Sequence, residues 1–357
     1  MRADLALIGF GHVGQRFATL LAERRQQLLD DHDLDARIVG IVTRRHGAIF
    51  DAAGVDVTAA LNDIASERSI DDTQGAATSS LPRVIAGLGE SKSALRVAVE
   101  TTTLTVADGQ PAISHIEAAI DAGCHTIAAN KGPVAFAYDR LRQRADAAGV
   151  SFLFEGAVMD GVPIFNLGRE TLPAVTVTGF RGIVNSTTNH ILTALEDGEA
   201  FAPALARMQA EGIAEADPSL DVDGWDAAAK AAALANVLMM AKITPHDVER
   251  EGIDERSAAV AQAARRAGRR LRLIASARRG DDGVVRAVVR PTELEPDDPL
   301  GGLRGTANAL VLQTDLLGEI AVHQLWGNLT MTAYALLSDL IAIRRRAISA
   351  RGTVRAR

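Results

Sequence analysis

The chain has 357 residues, 38 lysines and arginines against 45 aspartates and glutamates, and a net charge of −7. That balance, with aromatic residues at 4%, excludes the basic, stacking surface of a single-stranded nucleic-acid binder and argues against an anionic-membrane partner. Cys124 is the only cysteine, and no apolar run approaches a bilayer span or a signal peptide, so disulfide-built and membrane classes drop out and a reducing cytoplasm is expected. The length predicts two domains.

Leu5 to Gly9 reads as a short apolar strand running into Gly9-Phe10-Gly11-His12-Val13-Gly14, with a helical apolar pattern behind it (Val13, Phe17, Leu20, Leu21, Leu28). In this strand–turn–helix setting the first glycine permits a tight turn. The second lets the backbone approach a pyrophosphate, and the third lets the helix pack on the strand. The free N–H groups of the helix start then face the phosphates. Residues 9–14 are therefore the predicted dinucleotide contacts, and the alternative is a packing turn in some other α/β domain. Arg37 to Val42 reads as the second parallel strand. An NAD site usually carries an acid at its end, yet here the chain reads Thr43-Arg44-Arg45-His46. Guanidinium groups suit a 2′-phosphate, which favours NADP over NAD; the bland alternative is a solvated basic turn.

Residues 63–80 turn from polar and helix-like to glycine-, serine- and threonine-rich, which predicts a surface loop. Arg96 to Glu100 is another strand, ending at Thr101. Pro111 opens a helix that stops at Gly123. His125 to Ala129 is a strand that runs into Asn130-Lys131-Gly132-Pro133. In an open parallel sheet the ligand crevice lies outside the carboxyl ends of the strands. Gly11, Thr43, Thr101 and Lys131 all fall at such ends, and their shared placement argues for function more strongly than any one of them.

Ser151 to Glu155 is a further strand, leading into a turn over 156–163, and residues 163–172 read as helical. Alternation over Ala174 to Val184 predicts a strand of a second sheet, followed by helices over 188–196 and 203–211. Then Glu215, Asp217, Asp221, Asp223 and Asp226 crowd into twelve residues ahead of an alanine-rich helix on which Lys230 is the only charge between Asp226 and Lys242. Asp226 and Lys230 share a helix face. One reading is a surface ion pair of about 0.3–0.5 kcal/mol. The other is a desolvated lysine for proton transfer, with acids beside it for a cationic substrate. Strands follow over 284–289 and over 310–325, the latter a hairpin around Leu317-Gly318-Glu319. A helix from Thr332 to about Ile348 and a basic tail over 351–357 end the chain. The predicted architecture is α/β. Residues 1–150 form a Rossmann-type doubly wound parallel sheet, completed by the last helix over about 328–350. Residues 151–327 form a second α+β domain for catalysis and dimerisation.

Along nearly its whole length the chain resembles the homoserine dehydrogenase family. The resemblance is carried by GFGHVG at 9–14, AANKGPVA at 128–135, EGAVMDGVPIFNLGRETL at 155–172, NSTTNHIL at 185–192, AEADPSLDVDGWDAAAK at 214–230 and GTANALVLQTDLLGEIAV at 305–322. It implies NAD(P)-dependent interconversion of L-homoserine and L-aspartate 4-semialdehyde, on the route to threonine, methionine and isoleucine. It also implies a role for each matching residue: Lys230 as proton donor and Lys131 beside the nicotinamide and substrate. Glu215 and Asp226, with Asp221 in the same acidic wall, would hold the substrate's ammonium or hydroxyl, so that Asp226 faces the substrate rather than Lys230. Glu155, Val158, Asp160 and Val162 would coordinate a monovalent cation, mostly through carbonyls, although the family usually has a small residue where Asp160 stands. A homodimer and the short form lacking a C-terminal regulatory domain are implied as well. The chain departs from the family pattern at three places: Ser186 stands for a glycine, Ile213-Ala214 for a tyrosine, and Gln324–Leu329 for a glycine-rich loop that closes over the cofactor. These leave two alternatives: a related NADP oxidoreductase for another small amino-acid aldehyde or alcohol, or a non-catalytic NADP-binding relative.

Overall fold

The computed structural model describes residues 1–70, 80–211 and 213–355, so residues 71–79 of the predicted 63–80 stretch lie outside the described residues. The chain divides into two compact units, one of residues 1–133, 137–163 and 328–357, the other of residues 134–136 and 164–327.

The first unit opens with β1 (Arg2–Ile8), α1 (His12–Glu23), α2 (Arg25–His32), β2 (Asp35–Val42) and β3 (Ala48–Phe50). It continues through α3 (Val57–Ala65), α4 (Leu81–Glu90), β4 (Leu95–Glu100), α5 (Ala112–Asp121), β5 (His125–Ala128), α6 (Gly132–Ala148) and β6 (Phe152–Leu153). The strand order is β3-β2-β1-β4-β5-β6. All neighbours run parallel except β3, which folds back antiparallel on β2. The order reverses between β1 and β4, which makes that junction the topological switch point. β1 is buried from Ala3 to Ile8 because both its faces are covered. Leu5 and Leu7 pack with Phe17, Leu21 and Leu340 on one side, while Ala6 and Ile8 meet Val84, Ile85 and Leu88 on the other.

The second unit contains α7 (Ile164–Asn166), β7 (Val177–Ile183), α8 (Ser186–Glu196), α9 (Phe201–Ala210), α10 (Ser219–Val222), α11 (Trp225–Leu238) and β8 (Glu249–Arg250). These are followed by α12 (Arg256–Arg266), β9 (Arg270–Arg279), β10 (Val285–Leu294), β11 (Asn308–Thr314) and β12 (Gly318–Gln324). Its sheet has the order β12-β11-β7-β9-β10-β8. It is antiparallel except where β8 joins β10. α8, α11 and α12 pack on β9. Leu300, Leu303 and Ala307, from the segment before β11, join Ile183, Ile274, Ala309 and Val311 in a second cluster. In α11 every alanine from Ala227 to Ala235 is buried, the pattern of a helix enclosed on all sides.

Three predicted boundaries change. Residues 151–163 belong to the first unit, because β6 pairs with β5 through Thr126–Phe152 and Ile127–Leu153. The last helix, α13, runs from Leu329 to Arg355, longer than predicted, so the predicted basic tail is helical through Arg355. Alanine and arginine are good helix formers and carry the helix onward. The last hairpin turns over 315–317, two residues earlier than predicted.

Candidate active site

In the first unit the glycine turn has the expected division of labour. Gly9 sits at φ +93°, and a Cβ there would lie 2.8 Å from the Thr101 carbonyl carbon and the Thr102 nitrogen. A side chain at Gly14 would lie 2.8 Å from the Gly9 carbonyl oxygen. A Cβ built on Gly11, the N-cap of α1, would meet nothing within 4 Å, so the residue is exposed at the helix start where a pyrophosphate would approach. Thr101 closes the turn from the neighbouring strand: its Oγ1 donates to the Gly9 carbonyl at 2.8 Å and its N–H to the Ile8 carbonyl at 2.8 Å. Phe10 is buried, while His12 is exposed and Val13 half-buried at the helix start.

Thr43, Arg44 and Arg45 form the β2–β3 turn. The Thr43 hydroxyl donates to the Gly47 carbonyl at 2.9 Å and accepts from the His46 N–H at 2.8 Å. This turn leaves both arginines exposed at the carboxyl end of β2. Lys131 caps α6 and is half-buried. Its neighbour Asn130 staples two strand ends: Nδ2 donates to the Thr102 carbonyl at 3.0 Å, and Oδ1 accepts from the Gly132 N–H at 2.8 Å.

The 155–162 turn follows β6. Glu155 is buried and its N–H donates to Asp339 Oδ2 at 2.8 Å. Val158 is buried, and the Val162 N–H closes the turn on the Met159 carbonyl at 2.9 Å. Asp160 sits at φ +47°, a conformation that favours glycine. Its Oδ1 accepts from the Thr332 hydroxyl at 3.0 Å.

In the second unit the acids and the lysine come together at the carboxyl end of β7. Lys230 Nζ lies 2.9 Å from Asp226 Oδ2 and donates to the Val184 carbonyl at 2.7 Å. The two side chains are 16% and 13% exposed, so this is not a surface pair. Through Oδ2, Asp226 makes the ion pair that the sequence offers as one reading, where the resemblance implies that it faces the substrate rather than Lys230. Asn185 joins the acids, its Nδ2 donating to Asp221 Oδ1 at 2.7 Å and to Asp226 Oδ2 at 2.9 Å. The same side chain caps α8, accepting from the Thr188 N–H at 2.8 Å through Oδ1. Burial, and the Asp226 carboxylate beside it, hold Asp221 above the ordinary carboxylate range, against the Asn185 hydrogen bond and the charge of Lys230. Glu215 is exposed, and among the described residues no hydrogen bond or ion pair joins its carboxylate to the cluster; its carbonyl accepts from Gln209 Nε2. Trp326, in the divergent loop, is 58% exposed.

Two residues of these clusters carried no role in the sequence reading. Asn185 begins the NSTTN segment, and an asparagine before Ser-Thr-Thr at a strand-to-helix junction is an N-cap signal. In the sequence Glu100 is the last residue of a strand, and its complete burial has no counterpart in the sequence pattern.

A Rossmann-type unit with an open glycine turn, joined to a unit that sets a lysine among acids, defines the class of two-unit dinucleotide-binding proteins with acid–base machinery. The family model described as "Homoserine dehydrogenase, NAD binding domain" matches residues 9–155, and that described as "Homoserine dehydrogenase" matches residues 163–341. The chain belongs to the homoserine dehydrogenase family. It is 38% identical over 344 residues to the NAD(+)-dependent homoserine dehydrogenase of Pseudomonas canavaninivorans, covering 96% of each chain. It is 34% identical to the homoserine dehydrogenase of Methanocaldococcus jannaschii, over 95% of this chain and 98% of that one. Among solved structures, a putative homoserine dehydrogenase from Archaeoglobus fulgidus superposes with a TM-score of 0.81 at 28% identity, over 96% of this chain and 99% of that one. A hyperthermophilic archaeal homoserine dehydrogenase in complex with NADPH superposes with a TM-score of 0.79 at 27% identity, over 97% of this chain and 98% of that one.

Proposed function

We propose that the protein interconverts L-homoserine and L-aspartate 4-semialdehyde. The observation that carries this reading is Lys230, held by the Asp226 carboxylate and the Val184 carbonyl, with Asn185 linking Asp226 to Asp221. The nicotinamide dinucleotide, when bound, supplies or accepts the hydride. Lys230 holds a proton at Nζ for the substrate oxygen, and Lys131 adds positive charge where that oxygen becomes negative. Asp221, Asp226 and Glu215 hold the α-ammonium. The test is homoserine-dependent reduction of NADP or NAD by the purified protein; reduction with a different amino-acid alcohol and none with homoserine overturns the reading. Trp326 favours that second outcome, since an exposed indole stands in the segment where the family carries glycines.

NADP is the favoured cofactor, because Arg44 and Arg45 occupy the turn after β2 and no acid stands there. NAD is the second reading, favoured by the name of the Pseudomonas relative. Comparing kcat/KM for the two nucleotides, before and after Arg44→Ala with Arg45→Ala, separates them; an unchanged ratio removes the arginines from recognition.

A monovalent cation fits the 155–162 turn. Glu155 and Asp160 with the carbonyls of Val158 and Val162 are hard oxygen donors of the kind such an ion takes, and Glu155 is buried there. These residues would hold the ion as a structural clamp on the turn. Rate and melting temperature titrated with potassium or sodium chloride against choline chloride at constant ionic strength test this; equal curves exclude it. The protein is proposed to be a cytoplasmic homodimer joined through the second sheet, whose edge strand β12 exposes Glu319, Ala321 and His323. Light scattering of the purified protein gives the answer. Among the described residues no helix is long and apolar enough to cross a membrane.

A further inference from the structure

Glu100 ends β4, paired with Ile8 of β1 on one side and Ala128 of β5 on the other, so it lies at the switch point of the sheet. It is a fully buried carboxylate, 0% exposed. The described residues place no guanidinium or ammonium within salt-bridge distance of it; the one basic group beside it is the His115 imidazole, whose Nδ1 is 3.3 Å from Oε1. A buried carboxylate is costly to keep unless its hydrogen bonds are specific.

Besides the His115 contact, its bonds go to one residue. Oε1 accepts from the Thr102 hydroxyl and from the Thr102 N–H. The Thr102 carbonyl in turn accepts from Asn130 Nδ2 at 3.0 Å, and Asn130 Oδ1 accepts from the Gly132 N–H at 2.8 Å. Asn130 and Gly132 flank Lys131 in the chain. The geometry therefore forms one chain of bonds from the end of β4 to the two residues on either side of Lys131. Oε2 has no hydrogen-bond partner among the described residues, so the carboxylate is committed through a single oxygen.

We infer that Glu100 is a positioning residue for Lys131, acting through Thr102 and Asn130; as a statement about catalysis this rests on the proposed homoserine reaction. Glu100 touches neither substrate nor cofactor in this assignment. It fixes where the lysine backbone leaves β5, and with it the reach of the ammonium. A displacement of about 1 Å at such a group costs on the order of a hundred-fold in rate.

The test uses Glu100→Ala, Glu100→Gln and Thr102→Val in the full chain. Glu100→Gln keeps an acceptor for Thr102, so it rescues, with kcat within about two-fold of wild type. In Glu100→Ala kcat falls about ten-fold or more at saturating substrates, while NADPH affinity stays within about three-fold. Thr102→Val falls in the same direction, and the double variant falls less than the product of the two, as members of one linked unit do. A second readout needs no turnover. The chain has four lysines, Lys92, Lys131, Lys230 and Lys242, and reductive methylation read by mass spectrometry reports each separately. In Glu100→Ala the Lys131 rate changes several-fold and that of Lys92 does not. An unchanged Lys131 rate in folded Glu100→Ala, or additive kinetic effects of Glu100→Ala and Thr102→Val, overturns the assignment. If the alanine variant does not fold, Thr102→Val decides alone: wild-type methylation of Lys131 refutes the link. Wild-type protein that turns over no homoserine refutes the reaction, and the methylation result still judges the positioning role.

Discussion

Asn185→Ala is the substitution that most directly tests how the acidic cluster is held. The side chain is buried and does three things at once. It caps α8, and its Nδ2 binds Asp221 and Asp226 at 2.7 and 2.9 Å. Losing an asparagine N-cap costs about 1 kcal/mol. Each hydrogen bond to a charged partner contributes about 1.5–3 kcal/mol. The sum is an upper bound, because Lys230 still pairs with Asp226 and water can enter a half-buried cluster, so we expect a loss of about 3 kcal/mol. Urea unfolding monitored by circular dichroism measures it. The same change acts on Asp221, whose carboxyl already lies above the ordinary range. The Asn185 hydrogen bond is one of the groups pulling it down, so removing it raises the pKa further. Homoserine KM in the variant therefore rises more at pH 6 than at pH 8.5. Asn185→Asp sharpens the test: it keeps the cap yet sets a third carboxylate against the other two. Stability within about 1 kcal/mol of wild type, together with a KM ratio that does not change with pH, refutes the reasoning.

Four other perturbations follow from the same geometry. Gly11→Ala meets no atom within 4 Å and leaves the melting temperature unchanged while weakening NADPH binding by about ten-fold or more, whereas Gly9→Ala forces a side chain onto the Thr101 backbone at φ +93° and loses on the order of 2 kcal/mol or more; equal melting curves contradict this. Lys230→Met lowers kcat by about 10²–10⁴ with NADPH affinity near normal, and near wild-type turnover removes Lys230 from the chemistry. Glu196 and Arg272 form a fully buried pair at 2.6 Å, so Glu196→Ala strands the guanidinium and costs about 3–5 kcal/mol by urea unfolding; a loss below about 1 kcal/mol refutes the pairing. Burial, with Arg96 nearby, pushes His125 down to about 4, and its Nδ1 accepts from the Ser151 N–H at 3.0 Å. The folded value lies below the unfolded one, so the unfolded state binds more protons between about pH 4 and 6.5 and stability falls as pH drops through that window, by up to about 3 kcal/mol; equal urea slopes with pH in wild type and His125→Asn count against it.

The dinucleotide-binding sheet was legible because its strands are buried on both faces and appear as continuous apolar runs ending in glycines, threonines or a lysine. β9 was not read as a strand because its sequence, RLRLIASARR, carries arginines where a core strand carries aliphatics. Arg272 points inward all the same, donating to Glu196 and to the Leu303 and Gly301 carbonyls, and no local pattern announces a buried guanidinium whose partners lie in α8 and in the segment after β10. The strand at Ser151 reads equally well as the opening of the second unit, since a strand pattern does not name its sheet, yet Phe152 and Leu153 complete the first sheet. Asn236 shows the reverse case: from the middle of α11 its Nδ2 donates to the Val134 and Ala135 carbonyls and counts residues 134–136 with the second unit, an assignment that depends on bonds a hundred residues apart.

Lys230 and Asp226 read in the sequence as either an ion pair or a site, and the structure pairs them in a largely buried setting. A charge on a helix of buried alanines is costly without a partner, and Asp226 stands 2.9 Å from Lys230 Nζ. That leaves Asp221 as the second carboxylate, raised by burial and by Asp226 and tied to the cluster by Asn185. One ammonium and two carboxylates leave the cluster short of one positive charge when both acids are ionised. On the proposed reaction, a substrate's α-ammonium supplies that charge and favours ionised Asp221. On the proposed reaction an uncharged alcohol of the same length supplies no such charge, so the cluster is expected to favour the amino-bearing substrate.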